Sequence, residues 1–418
     1  MKEKISLKQT DPQLYELIIK EEQRQREQLQ LIPSENYASK AVLAPLASVL
    51  SNKYSEGYPG KRYYQGNKFI DQIEKLAQER LKRLYQAEYA NIQPFSGAPA
   101  NFAVYLALLK PGEKILAMDL ASGGHLSHGA KVNLSGQLYQ TVFYNVNPQT
   151  EKLDYDEIEE IAKKERPQLI IAGATAYPRE INFARFGEIA RKVGAYLMVD
   201  MAHIAGLVAA KVHPDPVPHA DVITATTHKT LRGPRGAFIL ARSELGPQID
   251  RAVFPGGIQA GPHNHVQAAK AVCFYEALQP QFKDYARQVI KNAAVLAQKL
   301  QEKGYRLVSG GTDNHLLLID LRPQNIDGRT AALALEEAGI IVNKNKIPFD
   351  PGTAVKPSGI RLGSPAVTSR GMKEAEMEQI ASWIDQVLQN YQNKQLLEKI
   401  RREVAAFASS FPVPGLDS

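Results

Sequence analysis

The chain has 418 residues, more than one hydrophobic core usually serves, so two domains are expected. Hydrophobic residues make up 44% and charged residues 23%, ordinary proportions for a globular protein in water, and no apolar run approaches the ~20 residues that span a bilayer. The net charge of +7 comes from bases spread along the chain and interleaved with acids, as in Lys20 to Glu27, so neither a membrane nor nucleic acid is expected as the main partner. Met1 to Gln30 is polar and mixed in charge, without the pattern of a signal or transit peptide, and a cytoplasmic location is the default. The only cysteine, Cys273, excludes an internal disulfide, and no Cys/His spacing suggests a metal site.

In chain order, residues 11 to 30 read as a polar helix, and Leu31 to Gly66 as loop and short helix rich in Pro, Gly, Tyr and Ser. Helical spacing follows over Ile70–Tyr85 and Ala100–Leu109. Short apolar runs at Lys114–Met118, Leu169–Gly173, Tyr196–Val199, Val222–Thr226 and Phe238–Leu240 read as strands, with helices such as Phe186–Val193 between them. That alternation argues an α/β protein with a mostly parallel sheet. After Val266 comes a long helical region, then strands at Tyr305–Val308 and Leu316–Leu321. A final helix is expected over Met372–Gln389, ending near Asn390, with a loose tail marked by Pro412 and Pro414. The expected division is an N-terminal arm over 1–53, a large domain over 54–279 and a smaller α+β domain over 280–418.

The segment Thr224-Ala225-Thr226-Thr227-His228-Lys229-Thr230-Leu231-Arg232-Gly233-Pro234-Arg235-Gly236 places one amine at the end of an apolar strand. Such an amine can lose its proton and attack a carbonyl, for example a cofactor aldehyde; a solvated surface lysine is the plainer alternative. In open α/β sheets ligands bind beyond the carboxyl ends of the strands. Asp200 ends Tyr196–Val199 and suits a protonated ring nitrogen, or a helix N-cap. His203 beside it is either a packed histidine or a contact to the ring oxygen. Ser96, Gly97 and Ala98 open the helix near residue 100, as an anion cradle or as plain capping. His125, in a glycine-rich loop, can lie flat on a ring, and a His125/His128 metal pair has no acid or cysteine to complete it. Arg361, between Gly359 and Gly363, suits a carboxylate or a structural ion pair. Tyr54 to Tyr64, with four tyrosines and Glu56, reads as a binding or subunit surface. Together these features fit pyridoxal phosphate (PLP) chemistry on an α-amino acid.

At this point the chain resembles the serine hydroxymethyltransferases. The resemblance lies in Leu31–Asn36, Glu56–Tyr64, Val199–Val208, Thr226–Gly236, Phe254–His265, Gly311–His315, Val342–Asp350 and Gly359–Gly363, and runs from about residue 10 to 390. It implies a PLP-dependent transferase of fold type I, with a mostly parallel seven-stranded sheet in the large domain and a smaller α+β domain. It implies the reversible conversion of L-serine and tetrahydrofolate to glycine and 5,10-methylenetetrahydrofolate, through an aldimine and a quinonoid.

Carried over by the resemblance, Lys229 forms the internal aldimine, Asp200 pairs with the pyridine nitrogen and His125 stacks on the ring. Thr175 and His203 sit near the ring oxygen, and Thr226, His228 and Arg235 support the lysine and its loop. Ser96, Gly97 and Ala98 hold the phosphate with Tyr54 and Gly261 of a partner subunit. Arg361 and Ser34, with His203, bind the substrate carboxylate. Glu56 and Tyr64 of the partner stand beside the substrate hydroxyl, with Glu56 shuttling the proton. Leu120, Gly124 and Asn345 face the pterin, together with Glu56, and Tyr63 the folate's aromatic ring. A homodimer with shared sites follows, and no metal.

Three positions depart from the usual pattern. Ala225 interrupts a run of threonines, Ala260 stands where a glycine is usual, and Lys68 where an acid is frequent. Two other functions stay open on the sequence: a folate-independent PLP aldolase for threonine-like β-hydroxy amino acids, and an RNA-binding regulator on the same fold.

Overall fold

The computed structural model describes residues 6–417. A polar helix α1 (Pro12–Glu27) is capped by Asp11, whose side chain accepts from Leu14 N–H, with proline in the first turn, the arrangement a helix start favours. The next large elements are α2 (Lys68–Tyr85), β1 (Tyr89–Asn91), α3 (Gly97–Leu108), β2 (Lys114–Met118), β3 (Gln140–Tyr144), β4 (Leu169–Ala172), α4 (Phe183–Val193), β5 (Tyr196–Asp200), β6 (Val222–Thr226) and β7 (Ala237–Ala241). The seven strands form one sheet in the order β1-β7-β6-β5-β4-β2-β3. Neighbours from β6 to β3 run parallel, and β7 is antiparallel to both β6 and β1. The sheet is thus the seven-stranded, mostly parallel one expected. Its central strands β4 and β6 are buried at every residue, as continuous apolar runs covered on both faces by helices should be.

Parallel strands put their carboxyl ends on one edge. Asp200 ends β5, and Lys229 follows β6 by three residues. The β2 loop and the β4 loop meet there, through bonds from Thr175 N–H and Ala176 N–H to the Gly123 carbonyl. Two glycines make the approach possible. A Cβ on Gly124 would lie 2.1 Å from the Met118 carbonyl oxygen, and one on Gly173 2.2 Å from that of Asp200, where φ is +145°.

Helices α5 (Asn264–Ala277) and α6 (Pro280–Glu302) lead to a second sheet of β8 (Arg306–Leu307), β9 (Leu316–Asp320), β10 (Asn343–Asn345) and β11 (Gly359–Gly363). Its order is β8-β9-β11-β10, all antiparallel. The apolar residues fall into one large body around the first sheet and another around the second. Helix α6 contributes to both: Phe282, Tyr285 and Val289 pack in the first, Leu296 and Leu300 in the second. Leu29 and Leu31, from the N-terminal segment, also pack in the second core, where Leu29–Gln30 pairs in parallel with Ile340–Ile341.

Two expectations fail at the C-terminus. The helix α7 (Glu374–Gln389) is not the last: α8 (Lys394–Ser409) follows. Asn393, part of the polar stretch read as an ending, caps the new helix by accepting from Leu396 N–H. The tail beyond it is also fixed. Val413 is fully buried, and Asp417 pairs with Arg26 at 3.0 Å. Buried Arg370 donates to the carbonyls of Gln25, Arg26 and Gln28 near the end of α1, and to those of Ala408 and Phe411 at the end of α8. One guanidinium thereby serves carbonyls that two helix C-termini leave without partners. The stretch read as a strand at Tyr305–Val308 is shorter, because Val308–Gly310 turns into a 3-10 helix.

Candidate active site

Where the strand ends converge, a cavity of about 390 Å³ is lined by Ser34, Ser96, Gly97, Ala98, His125, Thr175, Asp200, His203, Thr226, His228, Lys229 and Arg235. Ser34 comes from the N-terminal segment, and the others from five segments at and beyond the ends of strands β1, β2, β4, β5 and β6, which the sheet brings to one edge.

Asp200 is fixed by three donors. Its Oδ2 accepts from Asn101 Nδ2 at 2.9 Å and faces His128 Nε2 at 2.9 Å, and its Oδ1 accepts from Ala202 N–H at 3.0 Å. Burial favours the neutral acid, but the His128 bond and the neighbouring donors outweigh it and hold the carboxyl far below its usual range. Asn101 is fixed in turn, donating to Ser127 Oγ and accepting from Thr224 Oγ1. Neither Asn101 nor His128 figured in the sequence reading as a support for Asp200. An Asn at the buried face of an otherwise apolar helix was the available signal for the first. For His128 there was none beyond its loop. His128 is engaged with Asp200, and no group of three or more His, Cys, Asp or Glu side chains that could hold a metal ion occurs among the described residues.

Lys229 lies on the cavity wall. Burial lowers its amine to about 8, against the pull of Asp200 and with help from Arg361 and Arg235. A group near 8 keeps a useful fraction of neutral amine at ordinary pH. Around it, Thr226 Oγ1 donates to the Ala202 carbonyl at 3.4 Å, and Thr230 Oγ1 to that of His203 at 3.1 Å. The loop closes through Thr227, whose N–H donates to the Gly236 carbonyl at 3.0 Å. His228 is drawn down to about 3, chiefly by burial and then by Lys229, and its buried Nδ1 has no protein partner. His125, drawn down to about 4 by burial first, meets Ser127 Oγ through Nδ1 at 2.7 Å. Both imidazoles are neutral at pH 7.

Ser96 is the N-cap of α3, yet its side chain makes no capping bond. Its hydroxyl and the first N–H groups of the helix therefore open toward the cavity, with Thr226 against Gly97: a Cβ there would lie 3.0 Å from Thr226 Cγ2. This is how a helix start receives an anion.

A family model for serine hydroxymethyltransferase matches residues 7–384. The chain belongs to the serine hydroxymethyltransferase family. It is 54% identical to a serine hydroxymethyltransferase of Acidothermus cellulolyticus over 99% of this chain and 98% of the relative. It is 55% identical to one of Acidobacterium capsulatum, over 98% and 96% of the two chains. Membership makes it an enzyme of the transferase class on a PLP fold type I scaffold. The family is PLP-dependent and uses tetrahydrofolate.

The cavity does not include every residue that the resemblance to serine hydroxymethyltransferases implied. Arg361 is buried on β11 beside it, and donates from Nη1 to the Thr175 carbonyl at 2.6 Å and from Nε to Asn343 Oδ1 at 3.0 Å. Asn345 ends β10 opposite Gly359, and its amide donates to the Lys346 carbonyl. Leu120 is exposed, and Gly124 is buried at the loop crossing already described.

Tyr54, Glu56, Tyr63, Tyr64 and Gly261 gather elsewhere. Tyr54 and Tyr64 meet edge to face at 5.5 Å, and Tyr63 meets Phe254 at 5.4 Å. A Cβ on Gly261 would lie 3.2 Å from the Tyr54 ring and 3.8 Å from Glu56 Cγ. These three tyrosines are 60%, 65% and 46% exposed. They are nevertheless held firmly. Arg62, on the hairpin of Gly57–Tyr58 and Lys61–Arg62, pairs with Asp71 and Glu74 and donates to the carbonyls of Ser55 and Gly57.

No helix among the described residues is long and apolar enough to cross a membrane.

Proposed function

We propose that the protein catalyses the reversible transfer of the hydroxymethyl carbon of L-serine to tetrahydrofolate, giving glycine and 5,10-methylenetetrahydrofolate. The observation that carries this is one cavity holding a lysine lowered toward neutrality, a carboxylate kept ionised and a helix start with a free hydroxyl. These groups fit PLP: an amine for its aldehyde, an anion for its ring nitrogen and a cradle for its phosphate. When bound, PLP supplies an electron sink for bond breaking at the α-carbon of an amino acid.

The chain's own residues would do the rest. Lys229 holds the cofactor, Asp200 faces its ring nitrogen, and His125 covers its ring. Thr175 and His203 stand by the ring oxygen. Ser96, Gly97 and Ala98 receive the phosphate, completed by Tyr54 and Gly261 of a second copy. Arg361 leaves the Thr175 carbonyl to take the substrate carboxylate with Ser34 and His203, and so orients the substrate; orientation of this kind lowers a barrier by several kcal/mol. Glu56 of the second copy moves the proton at the serine hydroxyl, with Tyr64 beside it. Leu120, Gly124, Asn345 and Tyr63 receive the folate. His228, Thr226 and Arg235 keep Lys229 and its loop in place.

The rigid but exposed tyrosine cluster supports a homodimer with shared sites. The two apolar cores support a large domain (54–279) and a small domain (280–418), with the arm (1–53) packing its Leu29 and Leu31 in the second core and the first turns of α6 reaching back into the first. A cytoplasmic location belongs to the same reading. The test is direct. Purified protein with added PLP should absorb in the visible, and borohydride should fix the cofactor on Lys229 by peptide mapping. Serine should then yield glycine at a rate that depends on tetrahydrofolate. Serine cleavage independent of folate would overturn the reading.

A further inference from the structure

Helix α5 carries a buried cation that none of the roles above uses. Lys270 is 1% exposed, on a helix whose other neighbours are mostly apolar. Its Nζ donates to the carbonyls of Ile92, Pro94 and Ala237 at 2.6, 3.1 and 2.7 Å. No carboxylate lies within 4.0 Å of it among the described residues. Three carbonyl acceptors match the three N–H bonds of an ammonium, and a neutral amine could serve only two. Burial costs this cation dearly and draws it down to about 7, against the attraction of Glu74.

The three carbonyls belong to two segments. Ile92 and Pro94 lie on the chain that leaves β1 and enters Ser96, the start of the phosphate cradle. Ala237 begins β7, directly after the loop that carries Lys229 and ends at Gly236. The two segments already touch once, through Ala237 N–H and the Pro94 carbonyl at 3.2 Å. Gly236 lies against the lysine stem: a Cβ there would stand 2.5 Å from Lys270 Cε. That same glycine's carbonyl receives Thr227 N–H, two residues before Lys229.

We propose that Lys270 is a positioning residue that sets the spacing between the phosphate cradle at Ser96–Ala98 and the loop bearing Lys229, and thereby the protein's affinity for PLP. The proposal rests on the cofactor reading given above. A lost donor here leaves the Ile92 and Ala237 carbonyls, one on each segment, without this partner, and beyond the β1–β7 pairing only the bond from Ala237 N–H to the Pro94 carbonyl then sets their spacing. The cradle and the amine then no longer match the fixed distance between the cofactor's phosphate and its aldehyde carbon.

The test compares Lys270→Met, similar in length but without donors, with Ile384→Ala. Ile384 is fully buried in the second core and lines no part of the cavity. Thermal midpoints and PLP dissociation constants are measured on the full-length chain, well below the midpoints. Lys270→Gln, with two donors, is the partial rescue. The expected result is a PLP dissociation constant raised roughly tenfold or more in Lys270→Met. Lys270→Gln should lie between it and the wild type, and Ile384→Ala should lose midpoint but keep wild-type affinity. A Lys270→Met protein with lowered midpoint and unchanged PLP affinity overturns the proposal, and so does one that fails to fold while Lys270→Gln binds PLP like the wild type. A wild type that takes up no PLP overturns the cofactor reading and this inference with it.

Discussion

The cavity at the strand ends and the tyrosine cluster around Tyr54 are built on opposite plans. In and around the cavity, the side chains that hold the site are buried and bonded by their own chain: Asp200 by His128 and Asn101, Thr230 by His203 and Gly206. In the cluster, large rings stand in water on a hairpin that Arg62 holds rigid from below. Rigid exposure of this kind is costly for a monomer to keep and useful for a surface that meets something. The cavity holds the groups for the cofactor without any residue of the cluster, and the cluster makes sense as the part that a second copy adds to it.

The sharpest way to break that comparison is to disable each region and then mix the products. Lys229→Ala should abolish serine cleavage, a fall of roughly a thousandfold or more, or about 4 kcal/mol of barrier. Glu56→Gln should also lose most turnover while still binding PLP. If the cluster completes the site of a second copy, the two inactive proteins mixed, unfolded gently and reassembled should regain roughly a quarter of wild-type turnover. Half of the dimers are then hybrids, each with one intact site. A mixture as inactive as its parts would place both groups in the same site of one chain.

Asp200→Asn tests the cavity alone. It keeps shape and removes the charge, and turnover should fall roughly a hundredfold, about 3 kcal/mol. Its pH signature follows from linkage. The folded carboxyl titrates far below its unfolded value of about 4, so the stability it contributes is present above that value and lost as pH falls beneath it. The buried histidines act at higher pH and in the same direction. His125 at about 4 and His228 at about 3 stay neutral where an unfolded histidine, near 6.5, takes up a proton. The thermal midpoint of the wild type should therefore decline from about pH 6.5 downward. In Asp200→Asn the histidine-driven part of that decline should persist, and the further loss below about pH 4 should shrink.

How much of this was legible depends on the kind of signal each residue carries. Asp200 and Lys229 announce themselves because the run Tyr196–Val199 stops at the first and the run Val222–Thr226 ends three residues before the second. Ser96 does so by preceding a helical pattern with Gly and Pro. The seven-stranded sheet was only partly readable. β1 and β3 are edge strands, with polar residues such as Asn91 and Gln140, and β1 is only three residues long, so alternation and burial leave little trace. The last helix was missed for a physical reason as well. Asn393 breaks one helix pattern and caps the next, and a sequence alone does not say which side of a polar break is folded. Arg361 was readable as a fork for a carboxylate, but its resting bond to the Thr175 carbonyl depends on the meeting of a strand of the second sheet with a loop of the first.

The smallest expected effect lies at Ala260, where the usual glycine is absent. By the resemblance to serine hydroxymethyltransferases, its methyl would stand near the phosphate loop and bear on PLP affinity. The residue is exposed, at the edge of the cluster and next to Gly261, whose own approach to Tyr54 is the tight one. A methyl pointing into water displaces nothing in this chain. Ala260→Gly should therefore change stability by no more than about 0.5 kcal/mol, the ordinary range for surface substitutions, and PLP affinity by less than about twofold. A larger gain in affinity would mean that the methyl meets the cofactor or a second copy once the dimer forms. It would then be the cluster, not the cavity, that limits how tightly the phosphate is held.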